Sequence, residues 1–233
     1  IFFIYLCNLR RDAGVVDRGG LENRCTFWYP GFESLFLRFV LFMYIGLYFG
    51  SFNPIHNGHL AIAQYMQTNY PLDEIWFVIS PNSPFKQVED MLEAEKRLHL
   101  LKLAIENYPF FRASNIEFDM PLPSYTYRTL RKLRADMPNN QYALIMGSDN
   151  IDNITQWKNY MEILQFHTIY VYPRQKDVKK QSFSNIIYTN HVPILPISAS
   201  AIRVLISQCQ WDKVSELVPY KVLCELKSRK YYK

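Results

Sequence analysis

Cysteine is scarce in this chain and wrongly spaced for chemistry. The four cysteines among 233 residues, Cys7, Cys25, Cys209 and Cys224, lie far apart, and neither CxxC nor HExxH occurs. This excludes a disulfide framework, a structural zinc site and a dithiol redox centre, and it points to free thiols in a reducing compartment, with the cytoplasm as the default location. Long single-sign charge runs are also missing. Net charge is +5 with 20% charged residues, and no Lys or Arg run is long enough for a nucleic-acid arm, so no nucleic-acid partner is expected. A mild basic excess suits a small polyanionic ligand instead. No uninterrupted membrane-length apolar run is present either: Arg38 breaks FLRFVLFMYIGLYFG, and Ile1 to Leu6 is too short for a signal-peptide core. No membrane partner is expected. The 49% hydrophobic content is enough for one well-cored α/β domain.

Residues 1–42 differ in character from the rest of the chain. An irregular stretch rich in Arg, Asp and Gly, RRDAGVVDRGGLENR, precedes Met43, and Met43 stands directly before the first strand-like run. The expectation is that 1–42 is an upstream extension and that 43–233 is the working domain. A native peptide spanning Phe42 and Met43 would overturn it.

The stretch Tyr44 to Leu60, YIGLYFGSFNPIHNGHL, reads as an apolar strand, a tight turn over Gly50, Ser51, Phe52, Asn53 and Pro54, and a helix start leading into LAIAQYMQ. Strand, glycine turn and helix start form a phosphate cradle, in which backbone N–H groups and the positive end of the helix dipole meet an anion. His56 and His59 fall on one face of that helix start, where imidazoles can donate hydrogen bonds as negative charge builds on a phosphoryl group. The string resembles the HxGH signature of the nucleotidyltransferase superfamily. Over Tyr44 to Tyr220 the chain resembles the bacterial nicotinate-nucleotide adenylyltransferases, which join ATP and nicotinate mononucleotide.

Further along, DEIWFVIS (Asp73 to Ser80) reads as a buried parallel strand, and it ends in the loop PNSPFKQ, which should open beside the histidine turn. There Lys86 can meet a phosphate; the resemblance implies that it does. Glu93 to Tyr108 has helical spacing of Leu98, Leu101, Ala104 and Ile105, with His99 structural. FFRASNIEFDM reads as a strand near the sheet edge. A helix with Ser124 as N-cap should come next and stop before Pro138. Its opening, SYTYRTL, resembles the SYTxxTL motif of the family, which implies that Thr126 helps to hold the nicotinate carboxylate.

QYALIMGSDN (Gln141 to Asn150) reads as a buried strand running into a turn. Gly147 permits close approach of a ligand there, and Asp149 can accept hydrogen bonds from ribose hydroxyls or the adenine side. Trp157 is either a core plug or a stacking platform for a flat ring; the resemblance implies stacking on nicotinate. Relatives often carry an aromatic residue near the position of Asn153, where this chain offers an amide. HTIYVYPR (His167 to Arg174) gives another strand, and RQKDVKKQSF reads as a mobile surface loop. ISASAIR (Ile197 to Arg203) places Ser198 or Ser200 as cap of a helix to Gln208, with Arg203 as a forked cation. It resembles the ISxSxIR motif of the family and implies ATP-phosphate binding by Ser198, Ser200, Ile202 and Arg203. Two short helices should close the chain, the second opening at Pro219. The basic tail SRKYYK has no assigned role.

The expected fold is a three-layer α/β domain with a doubly wound, mostly parallel sheet, its site at the C-terminal ends of the strands. By resemblance, ATP contacts are Gly50, Ser51, Phe52, Asn53, His59, Gly147, Asp149 and the ISASAIR residues. The nicotinate mononucleotide contacts are Ser51, Lys86, Thr126 and Trp157. His56, His59, Lys86 and Arg203 would act on the phosphates. No carboxylate cage for a resident metal is visible, so Mg²⁺ is expected only as a partner of ATP. Alternatives are a nicotinamide-mononucleotide enzyme, a phosphopantetheine adenylyltransferase, or a nucleotide-binding module of the same fold without turnover. The lack of KMSKS and the chain length exclude a class I aminoacyl-tRNA synthetase.

Overall fold

Alternation of period two in the apolar runs sorts the side chains to two faces of one sheet. The computed structural model describes residues 42–81, 91–174, 183–189, 191–192 and 196–233. Residues 1–41, Lys86 with most of its loop, and the polar segment 175–182 lie outside the described residues. The chain divides into units 1–40 and 41–233, and the described residues all fall in the second.

In β1 (Tyr44–Gly50), Ile45 and Leu47 point into one core and Tyr48 into the other. The same division runs through β2 (Glu74–Ile79), where Ile75, Phe77 and Ile79 oppose Val78, and through β4 (Gln141–Gly147), where Ala143 and Ile145 oppose Tyr142, Leu144 and Met146. In β5 (Ile169–Tyr172), Tyr170 and Tyr172 oppose Ile169 and Val171. Two apolar faces require a helical layer on each side. The first is covered by α1 (Asn57–Asn69), α2 (Ala94–Ile105), α6 (Ala199–Ser207), α7 (Trp211–Leu217) and α8 (Tyr220–Ser228). The second is covered by α3 (Thr126–Asp136), the single turn α4 (Ser148–Ile151) and α5 (Tyr160–Phe166).

With the edge strands β3 (Phe111–Ser114) and β6 (Ile186–Tyr188), the sheet order is β3-β2-β1-β4-β5-β6 and every pairing is parallel. β1 and β4 therefore flank the point where the winding reverses, and in such sheets a crevice opens outside the strand C-termini there. Gly46 lets this centre close: a Cβ on it would lie 2.9 Å from Cδ1 of both Ile145 and Ile75.

The structure adjusts or completes four local readings. Ser124 does not cap α3; the N-cap is Tyr125, with no side-chain cap bond, because the helix starts one residue later. The turn expected after β4 is helical, with Ser148 opening α4 at once. β6 was not legible, being three residues long and, among the described residues, paired only with β5. His99 is exposed and pairs with Glu225 of α8 at 3.3 Å. Four other expectations coincide with the structure: β3 is at the edge, α3 ends before Pro138, Ser198 caps α6 through its Oγ (3.1 Å from Ala201 N), and Pro219 precedes α8.

Candidate active site

A cleft of about 1490 Å³ opens over the C-terminal ends of the parallel strands. That volume exceeds the range of roughly 300–1,000 Å³ usual for a single small-molecule site. Its floor is the turn after β1 and the start of α1. His56 is the N-cap residue of α1, in extended conformation, and His59 lies within its first turn. The imidazoles stack with centroids 3.6 Å apart and planes 24° from parallel. Phe52 and Tyr48 meet the His59 ring edge to face at 5.1 and 6.1 Å. Gly58 makes room for the stack, since a Cβ there would sit 3.1 Å from His56 Nδ1.

His56 is 5% exposed, and its Nδ1 has no hydrogen-bond partner among the described residues. Burial, reinforced by the positive charge of Arg174, lowers its pKa from 6.5 to about 4. The ring is therefore neutral at physiological pH. A neutral His56 avoids placing a buried cation against the stacked ring and keeps one ring N–H as a donor.

Arg203 reaches the same turn from α6. Its Nη1 donates to Asn53 O at 2.9 Å, and Nη2 lies 3.4 Å from Ser200 Oγ. Ser198 and Ser200 line the cleft beside it, as do Gly50, Ser51, Phe52 and Asn53. Ile202 does not: its side chain is fully buried in the core, as the inward position of an amphipathic helix requires. Asp149 lines the cleft from α4; its Oδ2 pairs with Arg174 Nη1 at 3.1 Å, and its buried Oδ1 has no hydrogen-bond partner among the described residues. The space over Gly147 is taken by these two side chains, since a Cβ there would lie 2.5 Å from Asp149 Oδ1 and 2.8 Å from Arg174 Nε. At the far end, Ser124, Tyr125, Thr126 and Trp157 form the wall. Trp157 packs on the second core and also lines the cleft. Asn153 is turned to other use, with Nδ2 donating to Asp149 O at 3.1 Å. Lys86 lies outside the described residues.

Three residues at the site escaped the sequence reading. Arg97 of α2 is 1% exposed and donates to four backbone carbonyls: Ser51 O (2.6 Å), Leu92 O (2.7 Å), Ser80 O (3.1 Å) and Pro81 O (3.1 Å). It ties the ends of the β1 and β2 loops together. An arginine on the apolar stripe of Leu101, Ala104 and Ile105 was the available signal. Arg174 follows β5 at a strand C-terminus, where ligand loops gather, and donates to Tyr172 Oη (3.2 Å), which lies 3.0 Å from Tyr48 Oη. Glu117, 2% exposed, accepts from Thr129 Oγ1 at 2.8 Å beneath the SYTYRTL helix start. Burial raises its pKa, with the hydroxyls of Thr129, Ser80 and Ser124 opposing the rise. No sequence signal singled it out. Among the described residues, no group of three His, Cys, Asp or Glu side chains is placed to hold a metal ion.

With this geometry in place, similarity to known proteins is informative. A cytidylyltransferase-like family model matches residues 47–205. A probable nicotinate-nucleotide adenylyltransferase from Flavobacterium psychrophilum is 44% identical over 194 residues, covering 82% of this chain and 100% of that protein. One of the same description from Cytophaga hutchinsonii is 43% identical over 197 residues, covering 82% and 98%. In fold, the chain is similar to the Plasmodium falciparum nicotinic acid mononucleotide adenylyltransferase solved in complex with NaAD, with a TM-score of 0.69, 20% identity and coverage of 82% and 97%. The HxGH turn, the SYTYRTL start and the ISASAIR start all line one cleft, in a sequence matching those relatives over nearly their whole length: the chain belongs to the nicotinate-nucleotide adenylyltransferases of the cytidylyltransferase-like family.

Proposed function

We propose that the protein transfers the adenylyl group of ATP to nicotinate mononucleotide, forming deamido-NAD and pyrophosphate. The observation that carries this reading is the stacked His56–His59 pair at the mouth of β1, facing a cleft of about 1490 Å³, with Arg203 tied to the same turn. A phosphate oxygen of the mononucleotide attacks the α-phosphorus in line; the bond from that phosphorus to the bridging oxygen breaks, and the electron pair leaves with pyrophosphate. No side chain need form a covalent bond. Catalysis lies in holding two anions together and in meeting the charge of the transferring group.

The imidazole N–H groups of His56 and His59 meet the α- and β-phosphate oxygens, and Arg203, with Lys86 as a further cation, meets the departing pyrophosphate. Asp149 Oδ1 is an acceptor for a ribose hydroxyl. The start of α3, with Thr126 and no side-chain cap, suits the nicotinate carboxylate, and Trp157 suits the ring. Magnesium belongs to this reading as part of the substrate MgATP. A cytoplasmic location goes with it, supported by the free exposed thiols of Cys209 and Cys224.

The test is pyrophosphate release from ATP and Mg²⁺ with nicotinate mononucleotide, nicotinamide mononucleotide or phosphopantetheine as acceptor. Strong preference for the nicotinate nucleotide is expected. Preference for another acceptor would overturn the assignment of Thr126 and Trp157, and no turnover with any would leave a nucleotide-binding module. Replacing either histidine by alanine should lower kcat on the order of 10²-fold or more.

A further inference from the structure

The C-terminal segment after α8, for which the sequence suggested no role, returns to the active-site turn. Lys230 and Tyr232 adopt positive φ (54° and 63°), reversing the chain so that Tyr231 and Tyr232 pack on the larger core. The Tyr232 hydroxyl donates to Asn53 Oδ1 at 2.5 Å. The same oxygen accepts from Leu92 N at 3.1 Å, while the Asn53 carbonyl accepts from Arg203 Nη1 at 2.9 Å. Asn53 is thus held from three remote parts of the chain. Its neighbour Phe52 has φ 44°, an unfavourable conformation for a bulky side chain, and Arg97 holds Ser51 O on the other side. A strained turn of this kind persists only where its surroundings over-determine it. Three residues past Asn53, the chain presents His56. Tyr232 is not among the residues lining the cleft. Burial keeps its phenol protonated, as donation requires, with Arg203 and Arg97 close enough to oppose that shift.

We propose that Tyr232 is a positioning residue for adenylyl transfer: its hydroxyl fixes Asn53, and through Asn53 the turn that delivers the stacked histidines and anchors Arg203. The inference rests on the adenylyltransferase reading. The restraint itself is a property of the turn and has its own readout.

The experiment compares Tyr232→Phe with Tyr231→Phe in the full chain. Each keeps its ring, and only the first removes a hydroxyl that reaches the turn. For Tyr232→Phe, kcat should fall about tenfold, the effect of one hydrogen bond lost from a preorganised site. KM for both nucleotides should stay within about twofold, because the loss is felt mainly in the transition state. Backbone amide exchange in the peptide covering Phe49 to Leu60 should become faster. Tyr231→Phe should leave kcat, KM and exchange unchanged. The proposal is overturned if Tyr232→Phe keeps the unsubstituted kcat, or if both variants lose activity and thermal stability in parallel. Should the unsubstituted protein fail to transfer adenylyl groups, the functional reading falls. Exchange still decides the restraint: faster in Tyr232→Phe than in Tyr231→Phe supports it, and equal rates overturn it.

Discussion

The depressed pKa of His56 makes stability depend on pH with a definite sign. The ring titrates near 6.5 when unfolded and at about 4 when folded, because burial and then Arg174 disfavour the cation. Between these values the unfolded chain binds more protons, so stability rises with pH there. The contribution is fully present above 6.5 and is lost as pH falls toward 4. A shift of this size corresponds to about 3 kcal/mol in all, with about 2 kcal/mol of it already gone at pH 5. The assay is urea denaturation of the unsubstituted protein and His56→Asn at pH 7.5 and pH 5. Background carboxylates titrate in both, so the difference between the proteins isolates the ring. That difference should shift by about 2 kcal/mol in favour of the variant at pH 5. An NMR titration gives the midpoint directly, and in Arg174→Met it should rise yet stay below 6.5, since burial is the larger cause. A midpoint near 6.5 in the unsubstituted protein, or a difference that stays constant with pH, would refute this account of the ring.

The same geometry has other consequences. Arg97→Met removes the donor shared by four backbone carbonyls and should destabilise by about 3–5 kcal/mol with loss of activity. Lysine should not restore it, lacking the fork; a loss below about 1 kcal/mol in urea denaturation would contradict the assigned role. Gly58→Ala should separate stability from activity: alanine favours a helix by roughly 0.5–1 kcal/mol over glycine, yet its Cβ would press on His56, so Tm should hold while kcat falls about tenfold. For Glu117 the sign is opposite to that of His56. Its raised pKa means the folded state holds the proton more tightly, so ionisation weakens the fold as pH climbs from 4.5 toward the raised value. Glu117→Gln keeps an acceptor for Thr129 and should lose that downward slope in a plot of Tm against pH. An unchanged slope would place the buried charge elsewhere.

Local order was readable from the residues alone. Nearly continuous apolar runs in Tyr44–Gly50, Glu74–Ile79 and Gln141–Gly147 specified strands with two buried faces, and hence helices on both sides. The HxGH turn and the Ser198 cap were legible because a cap, a turn and a three-residue histidine spacing are local geometry. Ser124 misled because a cap position shifts by one residue with little change in pattern, and the motif did not say that the Ile202 side chain faces the core. Long-range partners, by contrast, came only with the folded chain. Arg174 stands near enough to His56 to depress its pKa only because β5 lies beside β4. Arg97 meets four carbonyls only because two loops converge on α2, and Tyr232 meets Asn53 across 179 residues of sequence. Periodicity records which face a residue turns inward, but not which distant group waits there; that depends on the order in which the strands assemble and on the path of the chain back across them.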